Sequence, residues 1–295
     1  MLLATVALAV SALAIVPSMS APAQMLNSNA VPGPSHNSEE WANIALHLPD
    51  TTTGSAAQLE SAADVLRARR YPQDAVRFYS AAMAHGGQQG VLLKKSGIAC
   101  LEMQQVAMAR SYFQQAVRLQ KKDAGAWNNL GAAEFILHNT SGAIRDYKRA
   151  VKLDGESAVY HGNLALAYFE NRQGENARRE LAKGLAIDPD LLHRSGAGGY
   201  TAQVLASERY SEICFEMARI YAAQGNMDAV LDWLTKASDR GYNVRSALDH
   251  DATLRPLLAD PRVQVLLKNN QTLQAKAKIP INVPSLGTAS DQPPR

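Results

Sequence analysis

The chain has 295 residues, of which 46% are hydrophobic, 19% charged and 6% aromatic, so it is long enough to bury a sizeable core. Its 30 lysines and arginines against 27 acidic residues give a net charge of +3, which excludes the strongly basic balance typical of nucleic-acid-binding proteins. Two cysteines exclude a disulfide scaffold and any zinc or iron–sulfur site built from cysteines alone. The composition indicates a globular protein and gives no sign of catalysis.

The first residues indicate an export signal. An apolar run from Leu2 to Val16 is followed by small residues, and Ala21-Pro22-Ala23 offers a cleavage site that would leave Gln24 as the first mature residue. The run is shorter than the roughly 20 residues that a membrane-spanning helix needs. The pattern predicts a signal peptide over 1–23 and a periplasmic or secreted protein. The alternative is an uncleaved segment that anchors the chain in the inner membrane, facing the periplasm.

The residues that follow are rich in Asn, Ser and Pro, a composition typical of disorder. We expect residues 24–55 to be mostly disordered. A short helix over 39–48 is the exception, because Trp41, Ile44 and Leu48 would share one of its faces and could dock on the rest of the protein.

Four sets of residues then recur at a spacing of 34 positions. The first set consists of alanines, at Ala75, Ala109, Ala143 and Ala177. Four positions after each alanine stands a large residue, at Tyr79, Phe113, Tyr147 and Leu181. Small residues stand seven positions after each alanine, at Ala82, Ala116, Ala150 and Gly184, and twelve before it, at Ala63, Gly97, Gly131 and Ala165. A register held through four units indicates a repeat architecture.

Each unit predicts a hairpin of two amphipathic helices. In the third unit, apolar residues recur at helical spacing first from Trp127 to Phe135 and then from Ala143 to Ala150. Turn-forming residues from His138 to Gly142 separate the two halves. The small residues would let the helices approach closely, and the large residues would fill the gap between neighbouring units.

These residues resemble the tetratricopeptide repeat, whose pattern runs Trp-x-x-Leu-Gly-x-x-Tyr, then Ala, an aromatic residue, Ala and Pro. The third unit carries most of it, in Trp127, Leu130, Gly131, Ala143, Tyr147 and Ala150. The resemblance is to exported bacterial members of the family, and it implies an all-α fold, a right-handed α-solenoid of antiparallel helix hairpins. The units would span 56–89, 90–123, 124–157 and 158–190, with a fifth, less regular unit at 211–241.

The remaining segments do not follow the repeat. Residues 191–208 contain the glycine-rich Ser195–Gly199 and are expected to form a loop; the lysine of a phosphate-binding loop is missing after the glycines. Apolar residues over 242–268 predict short helices that cap the solenoid, as the last exposed apolar face of a repeat array requires. Residues 269–295 hold four prolines and are expected to be a disordered tail.

A search for catalytic or metal-binding groups yields little. Asp249, His250 and Asp251 are adjacent, so their side chains would point in different directions on a helix, and we expect no metal there. His161 occupies a column of core residues. Cys100 and Cys214 fall in different units, too far apart to pair, and are expected to be buried thiols. We therefore expect no enzyme activity, no catalytic residue, no metal and no cofactor.

The resemblance implies a concave groove lined by the first helix of each unit. The corresponding positions here carry mainly apolar or amide side chains, at Lys94, Ile98, Leu101, Asn128, Phe135, Leu166 and Phe169. Leu101, Phe135 and Phe169 stand one repeat apart and would form an apolar stripe. Charged residues would mark its ends, at Asp64, Arg67, Glu212 and Arg219.

Large apolar side chains on an exposed concave face indicate a binding surface. The leading hypothesis is a non-catalytic adaptor of the bacterial cell envelope that binds a peptide segment of a protein partner in this groove. We expect no binding to nucleic acid, and binding to a membrane only if the N-terminal segment stays uncleaved. One alternative is a membrane-anchored accessory subunit of a secretion, polysaccharide or outer-membrane assembly system. The stripe could instead pack inside the superhelix or against Trp41, and an enzymatic function would need a site between Ser195 and Ser207.

Overall fold

The computed structural model describes residues 34–191 and 209–277, with side chains as far as residue 269. The predicted signal peptide at 1–23 and the glycine-rich part of the 191–208 loop lie outside the described residues. Within them every regular element is a helix. The elements in chain order are α1 (Glu39–Ala45), α2 (Ala56–Ala68), α3 (Pro72–Ala84), α4 (Gln89–Glu102), α5 (Val106–Leu119), α6 (Ala124–Ile136), α7 (Thr140–Leu153), α8 (Ala158–Glu170), α9 (Gly174–Ile187), α10 (Tyr210–Ala223), α11 (Met227–Asp239), α12 (Val244–His250), a short 3-10 helix (Arg255–Ala259) and α13 (Pro261–Ala277).

The helices pack as a stack of hairpins. Each unit pairs two consecutive helices, from α2 with α3 to α10 with α11, and the second helix of a unit packs on the first helix of the next. The predicted all-α solenoid is confirmed. None of the described helices is both long and apolar enough to cross a bilayer.

The columns of the repeat have the packing role that their residue sizes predict. Phe113 is fully buried, and a Cβ atom added to Gly97 would lie 2.4 Å from its ring. In the next unit a Cβ atom on Gly131 would lie 2.7 Å from the buried ring of Tyr147. Real Cβ atoms do not approach ring carbons so closely, so any side chain there would force the helices apart.

The first helix of each unit ends in the same turn. The residue after its C-cap has a left-handed backbone, with φ between 58° and 67°, at Arg70, Gln104, His138 and Arg172. In unit three, the amide of His138 donates to the carbonyl of Phe135 and that of Asn139 to the carbonyl of Glu134. This pair of bonds is a Schellman motif, which satisfies the last carbonyls of a helix and turns the chain back toward its partner helix.

The N-terminal part differs from the expected disorder, because residues 34–55 are ordered. His36 stacks on Trp41 with ring centroids 3.9 Å apart, and its Nε2 atom lies 2.8 Å from the Asp74 carboxylate. The carboxylate of Asp50 accepts hydrogen bonds from the backbone amides of two threonines that follow it, as aspartates do in turns. Ser55 and Gln58 then form a capping box that begins α2. Local hydrogen bonds and the packing of Trp41, Ile44 and Leu48 against the core of unit one therefore hold this segment, and the predicted docking of the short helix is observed.

The C-terminal end also differs from the prediction. Buried Leu248, Leu254 and Val263 cover the last repeat, as a cap should. However, α13 continues through Ala277, nine residues into the segment 269–295 that was expected to be a disordered tail. Residues 269–277 contain no glycine or proline. Asn269, Asn270 and Thr272 are poor helix formers, but the other six residues are Gln, Leu, Ala and Lys, whose intrinsic propensity favours helix as far as the approach to Pro280.

Candidate functional site

The predicted groove positions lie on α4, α6 and α8, which line the inner face of the stack. The alpha carbons of α4 and α6, and those of α6 and α8, repeatedly come within 8 Å of each other. In the described part of the chain the second helices of neighbouring units make no such repeated approach. The first helices of neighbouring units are therefore close together, whereas the second helices are spread apart. The stack curves around its first helices, and their common face is concave.

At the N-terminal end of this face, charged side chains are tied together between units. The ammonium group of Lys95 lies 2.7 Å from the Glu60 carboxylate and 2.6 Å from the Asp64 carboxylate, and Arg67 donates to Glu102 at 2.7 Å. Burial alone would lower the pKa of Lys95, but hydrogen bonds and charge from the two acids outweigh it and raise the pKa. The charges at this end of the groove therefore join α2 to α4.

The middle of the inner face is apolar. Ile98 and Leu101 on α4 and Phe135 on α6 are partly exposed, and each packs by its base against the core. Leu101 and Phe135 occupy the same position of neighbouring units. Lys94 beside them is not a lone charge, because its ammonium group lies 2.6 Å from the carboxylate of Asp123, the N-cap of α6.

Toward unit four the predicted groove closes. Leu166 is 1% exposed and Phe169 is 4% exposed, and both belong to a core cluster shared with α10 and α11. Of the three members of the predicted stripe, Phe169 is therefore a core residue, which is the packing alternative stated for that stripe. The side chain of Asn128 is also buried, and it accepts a 2.8 Å hydrogen bond from the amide of Asn163 on α8.

The reason for this burial was partly visible in the sequence. Phe215 on α10 stands at a groove position of unit five, and the structure buries it in the same cluster as Phe169. An aromatic residue facing inward from the last unit fills the space into which the stripe would otherwise open. The charged residues expected at this end, Glu212 and Arg219, form ion pairs with Arg209 and Glu216 respectively.

A small pocket of about 210 Å³ remains at the junction of units four and five. Phe169, Arg172 and Tyr242 contribute to its walls together with Glu216. Burial raises the pKa of Glu216, although Arg219 and Arg178 partly offset the effect. The acidic residues that line the pocket are engaged in ion pairs, Glu216 with Arg219 and Glu212 with Arg209.

A larger cleft of about 1080 Å³ lies at the opposite end, between α1 and α2. Ile44, Leu46 and Val65 line it, and the last two side chains are 81% and 51% exposed. The sequence pattern predicted the short helix but not this opening. The α1 helix has only seven residues, about half the length of α2, so it covers only part of that helix.

The residues examined for chemistry have other partners. His161 lies in the core, with Nδ1 2.8 Å from the Glu180 carboxylate and Nε2 3.0 Å from the carbonyl of Gly155. Asp249 pairs with Arg245 and Asp251 with Arg219, so the acidic residues around His250 turn to different partners. No group of three potential metal ligands occurs in the described part of the chain.

The two cysteines are buried and unpaired, as expected. Burial raises the pKa of the Cys100 thiol to about 12 and that of the Cys214 thiol to about 11. At neutral pH both thiols are therefore protonated, which makes them poor nucleophiles.

Comparison with known proteins finds similar proteins at low sequence identity. No protein-family model matches the chain. Tetratricopeptide repeat protein 36 of Mus musculus is 28% identical over 180 residues, which cover 59% of this chain and 86% of the relative. The Homo sapiens protein of the same name is 26% identical with the same coverage.

Comparison with solved structures finds similar chains at low sequence identity, with TM-scores below 0.5. MamA from Desulfovibrio magneticus RS-1 matches 65% of this chain and 96% of its own, with 16% identity and a TM-score of 0.47. YrrB, described as a TPR protein with an unusual peptide-binding site, matches 63% of this chain and 86% of its own, with 17% identity and a TM-score of 0.45. The 34-residue register and the hairpins that it forms follow the tetratricopeptide-repeat pattern, and the chain is similar in sequence to tetratricopeptide repeat protein 36.

Proposed function

We propose that this protein is a non-catalytic adaptor that binds a peptide segment of a protein partner on its concave face. One observation carries the proposal: Ile98, Leu101 and Phe135 remain partly exposed side by side on the inner face. Apolar side chains in such a position gain free energy when a partner covers them. A segment with two or three apolar side chains at helical or extended spacing would fit this strip.

The flanking charges favour an ordered docking surface. Ion pairs between Arg67 and Glu102 and between Lys94 and Asp123 connect first helices or their caps across units. The apolar strip between them is thus presented on a scaffold that needs little rearrangement on binding, which lowers the entropic cost of association. Protonated thiols, and a His161 ring whose two nitrogens both face acceptor oxygens, support the non-catalytic assignment.

The strip is tested with a double variant, Leu101→Ser with Phe135→Ser. Peptides are first selected from a random display library on the wild-type chain, and their affinities are then measured by fluorescence anisotropy. Each substitution removes on the order of 1 kcal/mol of binding free energy, because a partly exposed apolar side chain no longer contacts the peptide. We therefore expect the affinity of the double variant to fall at least about tenfold.

The matched control replaces Val65 and Met108, two exposed apolar residues outside the groove, by serine. Circular dichroism should show both double variants to be as helical as the wild type. The groove assignment is wrong if the selected peptides bind the folded Leu101→Ser, Phe135→Ser variant as tightly as the control, or if selection yields no binder with apolar side chains.

We also propose that the adaptor is exported to the cell envelope. The apolar run from Leu2 to Val16 and the small residues before Gln24 support this proposal. Mass spectrometry of the chain recovered from the periplasm is expected to show a product that starts at Gln24. An intact N-terminus in the membrane fraction would favour the anchored accessory subunit instead, and an intact chain in the cytosol would contradict both.

A further inference from the structure

The outer surface of unit three carries an unusual row of positive charge. On α7, Arg145, Lys148, Arg149 and Lys152 stand at i, i+3, i+4 and i+7, which places them on one stripe of the helix. The opposite stripe of α7 is buried in the core. The only acidic residue of the helix, Asp146, is itself buried and bonded to Arg145 at 2.8 and 3.0 Å.

The remaining cations of this stripe have no acidic partner within residues 34–191 and 209–269. Among the described residues, no ion pair or side-chain hydrogen bond involves Lys148, Arg149 or Lys152, and the two lysines are exposed. Unit two extends the charge with exposed Arg118 at the end of α5 and with the two lysines that follow it. We call the six residues together the basic face: Arg118, Lys121, Lys122, Lys148, Arg149 and Lys152.

Cations on the inner face, in contrast, are paired with carboxylates. On the inner face, Arg67, Lys94 and Lys95 each lie 2.6 to 2.7 Å from a carboxylate. On the outer face, α5 contains no acidic residue at all. The acids nearest to the stripe in sequence are Asp123, which pairs with Lys94, the buried Asp146, and the exposed Asp154 and Glu156 beyond the end of α7.

Such a stripe is unfavourable for the isolated protein. Like charges three and four residues apart on a helix repel one another and lower helix stability. Lys152 in α7 and Arg118 in α5 each gain from their position in the last turn, near the negative end of a helix dipole, but the helix dipole offers no such gain to Lys148 or Arg149. An anionic surface laid against α5 and α7 would remove the repulsion.

An aliphatic ridge runs beside the basic face. Leu119 and Leu153 directly follow Arg118 and Lys152 at the ends of their helices, and Ile187 continues the same column in unit four. Leu119 is 56% exposed and Ile187 is 40% exposed. Exposed aliphatic side chains next to several lysines and arginines are the combination found on peripheral membrane-binding surfaces.

The residue types favour lipid over other polyanions. Single-stranded nucleic acids require aromatic side chains for base stacking, and all the large hydrophobic side chains found exposed in the described part of the chain are aliphatic. An acidic peptide would need a cleft to hold it, and the two cavities described above are at α1 and at the junction of units four and five. A bilayer needs neither feature.

We propose that the basic face docks this protein onto the surface of an anionic lipid bilayer. Its lysines and arginines would contact lipid phosphates, and Leu119 and Leu153 would enter the interfacial region. This contact is peripheral, does not involve the predicted signal peptide at 1–23, and leaves the concave face open to a partner.

The test is co-sedimentation of the full chain with vesicles of phosphatidylcholine, with and without phosphatidylglycerol, at low ionic strength. The variant Lys148→Gln with Lys152→Gln removes two charges from the basic face and keeps good helix formers. The control, Arg70→Gln with Arg172→Gln, removes two exposed charges elsewhere. Glutamine is suited to both control positions because Gln104 already occupies the equivalent left-handed turn.

Each cation near an anionic surface contributes about a fivefold gain in partitioning, so the Lys148, Lys152 variant should bind phosphatidylglycerol vesicles about 20- to 30-fold more weakly than the wild type. The control should lose less than about threefold, since its charges lie away from the bilayer. Replacing Leu119 by glutamine should also weaken vesicle binding relative to the wild type. This loss should be larger at raised salt, because salt screens the charges and leaves the apolar contribution dominant.

Three outcomes would overturn the proposal. An equal loss in both charge variants would mean that net charge, rather than the basic face, decides binding. Equal sedimentation with and without phosphatidylglycerol would exclude anionic recognition. Binding of polyglutamate or single-stranded DNA through Lys148 and Lys152, without binding to anionic vesicles, would make the basic face a site for an acidic macromolecule instead.

Discussion

At the scale of single residues, the same column of the repeat holds two buried carboxylates with opposite properties. Asp146 and Glu180 are equivalent residues of units three and four. Burial raises the pKa of Asp146, and Arg145 only partly offsets the effect. Burial also raises the pKa of Glu180, but hydrogen bonds from Lys183 and His161 outweigh it, so that pKa lies below its ordinary value. The side chains that surround each carboxylate therefore decide whether its negative charge stabilises or destabilises the fold.

The two carboxylates should respond to pH in opposite directions. The folded pKa of Glu180 lies below the unfolded value of 4.5, so its contribution to stability is complete above pH 4.5 and is lost as pH falls through the folded pKa. We expect Glu180→Gln to lower the free energy of unfolding by on the order of 1–3 kcal/mol at neutral pH, and by less in acid.

For Asp146 the sign is reversed. Its folded pKa lies above the unfolded value of 3.8, so ionisation opposes folding at neutral pH and the penalty disappears as pH falls. The free energy of unfolding of Asp146→Asn, taken relative to that of the wild type, should therefore be higher at neutral pH than in acid. Urea unfolding of the wild type and both variants at two pH values checks both signs, and parallel profiles for the variants would refute the assignment.

At the scale of elements, the repeated helix ends bear a conformational cost. Arg70, Gln104, His138 and Arg172 all adopt the left-handed backbone that favours glycine, whereas unit five uses Gly225 at the matching turn. The same two amide-to-carbonyl hydrogen bonds close all five turns. Those bonds stabilise the turn strongly enough to hold a side chain in an unfavourable conformation.

Replacing His138 by glycine should stabilise the protein. The left-handed backbone costs a non-glycine residue about 1–2 kcal/mol, and the extra freedom of glycine in the unfolded chain returns part of that, so we expect a net gain of about 0.5–1 kcal/mol. Thermal unfolding measures the change. The reciprocal variant, Gly225→Ala, should destabilise by a similar amount, and a loss of stability in His138→Gly would show that the imidazole contributes more than the turn costs.

The elements also show how far sequence alone leads. The hairpins were predictable because each column couples a residue size to a fixed packing position, as Gly97 does against Phe113. The position of the turn was predictable, but not that its left-handed residue would be His138, since the glycine of that segment, Gly142, lies inside α7. The sequence places the aromatic Phe215 at a groove position of unit five, but the burial of Phe169 also depends on how unit five docks after the break in the repeat, which the 34-residue spacing does not determine.

At the scale of the whole molecule, the core is divided along the stack. One cluster of buried residues joins α1 to unit one, a second joins unit two to the first helix of unit three, and the third runs from Ala143 to Leu267. Each unit contacts mainly its neighbours, so stability is approximately a sum of local terms rather than the property of one core. The partly exposed Leu101 belongs to the second cluster and Phe135 to the third, so the concave strip crosses the boundary between them.

This division predicts that a core cavity will open the chain locally. Leu66 in unit one and Leu234 in unit five are both fully buried, and replacing either by alanine should cost about 2–5 kcal/mol in its own cluster. In hydrogen-exchange mass spectrometry, Leu66→Ala should reduce protection in α2 and α3 and leave α10 and α11 unchanged, while Leu234→Ala should do the reverse. Each variant serves as the control for the other. Equal loss of protection at both ends would mean that the stack unfolds as one unit, and would require the three clusters to be energetically continuous.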